Sequence, residues 1–325
     1  MKERYSCITH FLFALGLGLF AVPASAQYFR QSSYWKTMRQ EVSLGFGISN
    51  FLGELGGRNQ IGSPFVWDLE MSQTRPAAHI DYRYFVAQKM ALRARATYGV
   101  LAGNDNLTKE QFRQNRNLSF KSDIYEACLV FEFHLYQEEL GHMYDLRGVQ
   151  GSKSSRIGFY AFAGIGGFYF DPKAQFENTW VRLKPLGTEG QGLPEGPEEY
   201  NNIQVCVPMG LGVRKAISKT LSAGLELQYT KTFTDYIDDV STNYYDNAAI
   251  LAANGEVAAF LADPSLGIGP VYEIGNPTAP GQQRGDPDDL DAYIFLKAQV
   301  HYKLIKYKSG SKKYRTRIRR QKIVF

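Results

Sequence analysis

Few residues in this sequence have the type and spacing that chemistry needs. Beyond residue 26 the histidines are His79, His134, His142 and His301, and the cysteines are Cys128 and Cys206. None of these histidines joins a serine and an acid in a recognisable nucleophile motif. A histidine such as His134 or His301 beside a serine would still suit a hydrolase or acyltransferase acting on lipid. Two acidic runs, Asp235-Tyr-Ile-Asp-Asp239 and Asp286-Pro-Asp-Asp-Leu-Asp291, offer oxygen ligands at the short spacing calcium uses. Neither fits the helix–loop–helix calcium pattern, and both read as solvated acidic loops that cap strands and turns. The most distinctive run is basic: Lys312, Lys313, Arg315, Arg317, Arg319 and Arg320 lie within eleven residues of Lys322. Such a run binds anionic surfaces.

The elements that carry these residues read as strands. A positively charged start (Lys2, Arg4) precedes the apolar run FLFALGLGLFAV, which is too short to span a membrane. Pro23-Ala-Ser-Ala26 follows, so residues 1–26 are expected to be a signal peptide cleaved after Ala26. The rest has no second long apolar stretch. Its hydrophobic content is 44%, with 21 Tyr, 21 Phe and 31 Gly over the whole chain, which suits an exported β-protein whose strands alternate in polarity.

That alternation is explicit. Ala292, Ile294, Leu296, Ala298, Val300, Tyr302 and Leu304 share one face, against Asp291, Tyr293, Phe295, Lys297, Gln299, His301 and Lys303. Leu221–Thr230 and Tyr125–Leu135 repeat the pattern. Further candidates are 42–50, 78–85, 90–100, 156–170 and 203–214, which makes eight strands. The segment 156–170 is apolar on both faces and glycine-rich, as for a strand packed on bulky interior residues. Short links after the second and sixth strands alternate with long ones after the first, third, fifth and seventh. The sequence therefore predicts an all-β fold, an antiparallel transmembrane β-barrel with long extracellular loops, over residues 27–304. The connection 137–155 is long for its side. Within the acidic connection 232–289, the Ala-rich stretch 245–261 is expected to form a surface helix.

A soluble sandwich is the structural alternative, with the polar faces in water instead of inside a barrel. In the barrel, Arg93, Arg95, Glu126, Glu132, Glu226 and Lys297, with Asp81 and Arg83, would turn inward and pair across a small lumen. Eight strands leave room only for side chains. Inward Arg93, Arg95, Tyr293 and Phe295 would block it further, which counts against a general porin. Cys128 and Cys206 fall on strands two apart, where two buried thiols are preferred over a disulfide.

The charge is uneven. The chain carries +5 and residues 27–325 carry +4. Residues 305–325 hold nine of the bases and no acid, so the body alone is −5. Nucleic acid is not a sensible partner for a basic tail in an exported barrel. An acidic periplasmic protein, anionic cell-wall polymer or lipid head groups would be, and a disordered tail without a partner is the bland alternative.

Several stretches carry a family resemblance. They are Glu41-Val-Ser-Leu-Gly-Phe-Gly-Ile-Ser-Asn-Phe-Leu-Gly-Glu-Leu-Gly-Gly57, the block 157–172 (IGFYAFAGIGGFYFDP), Thr234-Asp-Tyr-Ile-Asp-Asp-Val-Ser241, Arg284-Gly-Asp-Pro, and Asp291-Ala-Tyr-Ile-Phe295. Their order resembles that of the PorG-like outer-membrane β-barrels of Bacteroidota. The resemblance implies a non-enzymatic outer-membrane component of the type IX secretion system, without cofactor, metal or small-molecule substrate. It further implies that the chain, set among outer-membrane lipids, meets a periplasmic ring made of a lipoprotein and its partner. The lipid-modifying enzyme and the minor pore are the rival readings.

Overall fold

A computed structural model describes residues 34–55, 71–107, 110–138, 157–218, 220–267 and 275–305. The chain divides into residues 1–36 and 37–325, and everything below concerns the second unit. The signal peptide, His142, most of the 137–155 connection and the basic run 312–320 lie outside the described residues.

Eight long strands form the barrel: β1 (Gln40–Leu52), β2 (Arg75–Ala87), β3 (Met90–Asn104), β4 (Ser119–Tyr136), β5 (Ile157–Phe176), β7 (Ile203–Ala216), β8 (Leu221–Thr232) and β9 (Ala292–Leu304). A short β6 (Thr179–Arg182) folds back on the end of β5. Each barrel strand pairs antiparallel with its sequence neighbour, and β1 pairs with β9 from Gln40↔Leu304 to Leu52↔Ala292. The sheet is thus closed, and no barrel strand has a free edge.

Alternation decides the faces. Along β4 the exposure switches at every residue from Ile124 to His134. Phe46 and Leu129 are 73% and 66% exposed, whereas Lys297 is fully buried. Greasy outside and charged inside is the inverse of a soluble sandwich core, and it suits a lipid solvent. Tyr98, Tyr125 and Tyr169 face one another across β3, β4 and β5, with ring centroids 5.1 and 6.3 Å apart. Just beyond them, charges begin, with Lys173 bonding Asp123 at 2.8 Å and Arg182 bonding Asp171 at 2.8 Å. Exposed Tyr136 marks the opposite border of β4, eleven positions from Tyr125. At barrel tilt that separation is roughly 25–30 Å, close to the hydrocarbon thickness.

One end of the barrel carries short turns, among them Gln88-Lys89, with Ala87 paired to Met90. The other carries the long connections, apart from 137–155, which joins β4 to β5 at the turn end. The expected helix over 245–261 is two helices, α2 (Asn247–Asn254) and α3 (Glu256–Ala262). Gly255, at φ +88°, breaks them, a conformation that L side chains rarely adopt. Nor is this stretch purely superficial, because Ile250 and Ala258 are fully buried. A third short helix, α1 (Gln111–Arg116), starts on a Glu110 side chain that accepts from the Phe112 and Arg113 amides.

Cys128 and Cys206 are both buried and unpaired. They flank Gly166 on either side of β5, in register with it. Two strand spacings separate their backbones, roughly 9–10 Å, beyond the reach of a disulfide.

Candidate functional site

The interior is filled in layers. Near the turn end, Arg83 bonds Glu41 at 2.9 Å and Glu132 at 2.5 Å. Arg214 bonds Glu41 at 3.1 Å and reaches Glu138 at 2.7 Å. Glu138 belongs to the long 137–155 connection and also bonds Lys303 at 2.9 Å, so that connection turns an acid back onto the barrel mouth. In the middle, Arg93 bridges Glu132 at 2.8 Å and Glu226 at 2.6 Å, while Arg95 bonds Asp81 at 2.8 Å and Glu226 at 2.5 Å. Lys297 donates to Gln228 at 2.6 Å and lies 3.7 Å from Glu226. The guanidiniums also sit against rings: Arg93 lies 4.9 Å from the Phe162 centroid and Arg83 lies 5.7 Å from that of Tyr160.

Of the residues anticipated for this network, Arg93, Arg95, Glu132, Glu226 and Lys297 come together in ion pairs. Glu126 differs. Its partners are the neutral donors Gln228 at 3.0 Å and Tyr293 at 2.8 Å. Glu41 and Arg214 were absent from the anticipated set, although their inward positions on β1 and β7 follow from the same alternation. The five bases Arg83, Arg93, Arg95, Arg214 and Lys297 stand against the five acids Glu41, Asp81, Glu126, Glu132 and Glu226. Among the described residues, the buried charges of the barrel interior therefore balance.

A serine–histidine contact does exist. Ser43 Oγ lies 2.7 Å from His301 Nδ1, and Arg83 is 3.2 Å from the same nitrogen. Both side chains are buried inside the barrel, within this ion-pair lattice. The nearby acids Glu41 and Glu132 are engaged by Arg83.

Above the charged layers sits an apolar plug. Phe51, Phe120, Ile124, Phe168, Phe170, Tyr293 and Phe295 cluster with Leu55, Ile237 and Val240 from the loops. The rings stack upward, with Phe170 on Tyr200 at 5.9 Å and Tyr200 on Tyr236 at 4.7 Å.

The loops then close over the plug as a cap that contains both acidic runs. The reading of these runs as solvated holds for Asp286, Asp288 and Asp289, which are exposed. It fails for Asp235, Asp238, Asp239 and Asp291, which are buried. The reason is tertiary: the runs fold against each other, so each shields the other from water. Glu189, from the connection between β6 and β7, was not foreseen and is the best-satisfied acid of the cap. It accepts from the Ser241 amide at 2.9 Å, the Thr242 hydroxyl at 2.7 Å and Arg284 at 2.9 Å. Asp239 accepts from Thr188 at 2.5 Å and Tyr200 at 2.7 Å. Arg116 is committed to Asp105 at 2.8 Å and to the Arg284 carbonyl at 2.7 Å.

The remaining acids fare worse. Burial, then the neighbouring Asp238, pushes the Asp235 carboxyl up to about 9. Burial raises Glu54 to about 7, against bonds from the Asp286 amide and the Arg116 charge. Asp239 is raised by burial to about 6 despite Arg284. Asp238 and Asp291 are pushed well above the usual carboxylate range, first by burial and then by Glu54 and by Asp238 respectively. Among the described residues no set of three acids, histidines or cysteines is arranged to hold a metal ion.

A closed eight-stranded antiparallel sheet, apolar outside and packed with ion pairs inside, defines a transmembrane β-barrel protein. Within that class the chain belongs to the family described as "Domain of unknown function (DUF6089)", whose model matches residues 28–255. No curated protein matches the sequence. Among solved structures it is similar to Ail, the attachment invasion locus protein of Yersinia pestis, at 7% identity and a TM-score of 0.36, covering 82% of this chain and 99% of that one. Neisserial surface protein A is similar at 9% identity and a TM-score of 0.34, with 82% and 97% covered. The N-terminal β-barrel domain of Pseudomonas aeruginosa OprF is similar at 8% and 0.31, with 82% and 98% covered. Likenesses this loose add nothing to the barrel that the strand pairing already closes.

Proposed function

We propose that this chain is a non-enzymatic outer-membrane barrel that anchors part of the type IX protein secretion machinery. Its periplasmic partner in this reading is the ring built from a lipoprotein and its associated protein. The observation that carries the reading is the filled interior: charged layers, an apolar plug and a cap occupy the barrel from mouth to mouth. Because the described side chains pack the barrel interior, this reading puts the working surfaces at the two ends. β1 begins and β9 finishes at the turn end, where Gln40 pairs with Leu304. The chain therefore leaves the barrel there and runs on into the basic segment that contains Lys312, Lys313, Arg315, Arg317, Arg319 and Arg320. In an exported barrel that end faces the periplasm. A segment with nine bases and no acid suits an acidic protein surface at short range.

The test is crosslinking in intact cells followed by identification of the attached proteins, with the full chain and with Ser309–Phe325 deleted. The deletion is expected to leave a barrel that fractionates with the outer membrane and migrates heat-modifiably, but to reduce ring-protein capture by about tenfold, as for lost multivalent charge contacts. Equal capture by both forms would remove the segment from the mechanism. Capture of no secretion component by either form would remove the secretion role itself.

A further inference from the structure

The cap holds more buried acid than it can neutralise. Asp238 Oδ2 and Asp291 Oδ1 are buried with no hydrogen-bond partner, as are Glu54 Oε2 and both oxygens of Asp235. Asp238 and Asp291 are each 1% exposed. What each does accept comes from backbone: Asp238 from the Val240 amide at 3.1 Å and Asp291 from the Ile237 amide at 2.9 Å. The Ser241 side chain sits close enough to Asp235 to lower its pKa somewhat. An ionised carboxylate buried without donors costs several kcal/mol. Something must therefore neutralise this group of acids.

Among the described residues, the groups around these acids come from five elements. From the β1 end comes Glu54, whose carbonyl accepts from Arg116 at 3.3 Å, whose Oε1 accepts from the Asp286 amide and whose Oε2 lies 4.0 Å from the Arg116 guanidinium. From the 105–118 connection come Arg116 and Asp105, which are paired with each other. From the 183–202 connection come Glu189, engaged by Arg284, and Tyr200, donating to Asp239. From the loop after β8 come Asp235, Tyr236, Asp238, Asp239 and Tyr244. From the loop before β9 come Arg284, Asp286 and Asp291. Among the described residues Arg116 and Arg284 are the bases here; Arg284 pairs with Glu189 at 2.9 Å, and Arg116 pairs with Asp105 at 2.8 Å and reaches Glu54 only at 4.0 Å. Cations are disfavoured as the neutralising agent, because no three of these acids are arranged as metal ligands among the described residues. Protons remain.

A cavity of about 200 Å³ adjoins the cluster, lined by Asp238, Arg284, Leu55, Leu118, Val240 and Leu261. It brings solvent-sized space to Asp238, the member of the cluster that lines it, and it lies against the same residues that top the apolar plug.

We propose that the cap is a latch held shut by protons on Asp235, Asp238, Asp291 and Glu54, which springs open toward solvent when they ionise. Opening turns the repelling carboxylates out to water and uncovers the plug beneath, while the ion-paired barrel wall stays closed. The sign follows from proton uptake. The closed cap binds protons that the open loops, with ordinary carboxylates, release. Closure is therefore strongest at acid pH and weakens as pH rises from near 4 toward about 9, where Asp235 gives up its proton.

The experiment uses the full chain in detergent micelles. Amide hydrogen exchange, corrected for the intrinsic pH dependence of exchange, is followed over 233–241 and 284–291 between about pH 6 and about pH 10. Protection is expected to fall by about tenfold or more there, and to stay constant in β4 and β9. In parallel, the infrared band of protonated carboxyl groups is expected to fade over the same pH range in the unmodified protein. The combined variant Asp235→Asn, Asp238→Asn, Asp291→Asn keeps the neutral shape and should stay protected at both pH values. Three results would each overturn the latch: constant loop protection across pH in the unmodified chain, no protonated-carboxyl band near neutral pH, or closure that depends on calcium and is lost with chelator at pH 6. The infrared readout needs no variant, so a variant that fails to fold leaves the proposal testable.

Discussion

The barrel interior and the loop cap are built from the same residue types, yet they solve opposite problems. Inside the barrel every arginine is placed between acids: Arg93 between Glu132 and Glu226, Arg95 between Asp81 and Glu226, Arg83 between Glu41 and Glu132. In the cap, Glu54, Asp235, Asp238 and Asp291 crowd together, and among the described residues the two bases nearby make their short bonds to other acids, Arg116 reaching Glu54 only at 4.0 Å. Buried charge is stable only when matched, and when it is unmatched the group gives up its charge instead. The barrel wall is thus held by matched ions, whereas in the cap two ion pairs, Glu189–Arg284 and Asp105–Arg116, stand beside carboxyls that burial pushes toward the neutral form. The two regions should therefore respond differently to the same kind of substitution.

The largest difference is expected from neutralising one acid in each. Glu226→Gln leaves Arg93, Arg95 and Lys297 buried without their shared counter-ion. It should cost about 3–5 kcal/mol, read as loss of the heat-modifiable folded band or as a lower urea midpoint in micelles. Asp238→Asn, applied to an acid that burial pushes well above the usual carboxylate range, should cost under about 1 kcal/mol at neutral pH in the same assay. Equal costs for the two would erase the distinction between wall and cap. Between these in size lies a change on the outside of the wall. Leu129→Arg places a charge on the lipid-facing band and should cost about 2–4 kcal/mol in bilayers. The same change in detergent-free aqueous buffer would be harmless if that face met water.

Much of the wall was legible from local pattern. Side chains alternate at every residue along a strand, so Leu129 and Glu132 reveal their faces without any knowledge of their partners. Even Glu41 and Arg214, which were overlooked, sit in phase with that pattern. The strand ends were less legible: β4 begins six residues before Tyr125 and β5 runs six past Phe170. There the loops cover both faces, and the polarity signal fades. Glu126 shows another limit. Its face was readable, but its neutral partners Gln228 and Tyr293 come from β8 and β9, and strand order and register had to bring them there.

The cap was hidden from sequence for a physical reason. Asp235 and Asp291 lie in different acidic runs, and each run alone has the composition of a solvated loop. Burial belongs to the meeting of the two, and burial is what moves a carboxyl from charged to neutral. Likewise Glu189 sits in a Gly- and Pro-rich connection with no local mark that it will receive Arg284. Sequence by itself determined the strands and their two faces, because those depend on a period of two that each segment carries alone, while the pairing of β1 with β9 decided that the sheet closes. Tertiary structure decided which charges are paired and which are left to protons, because that depends on distances between segments that are remote in the chain.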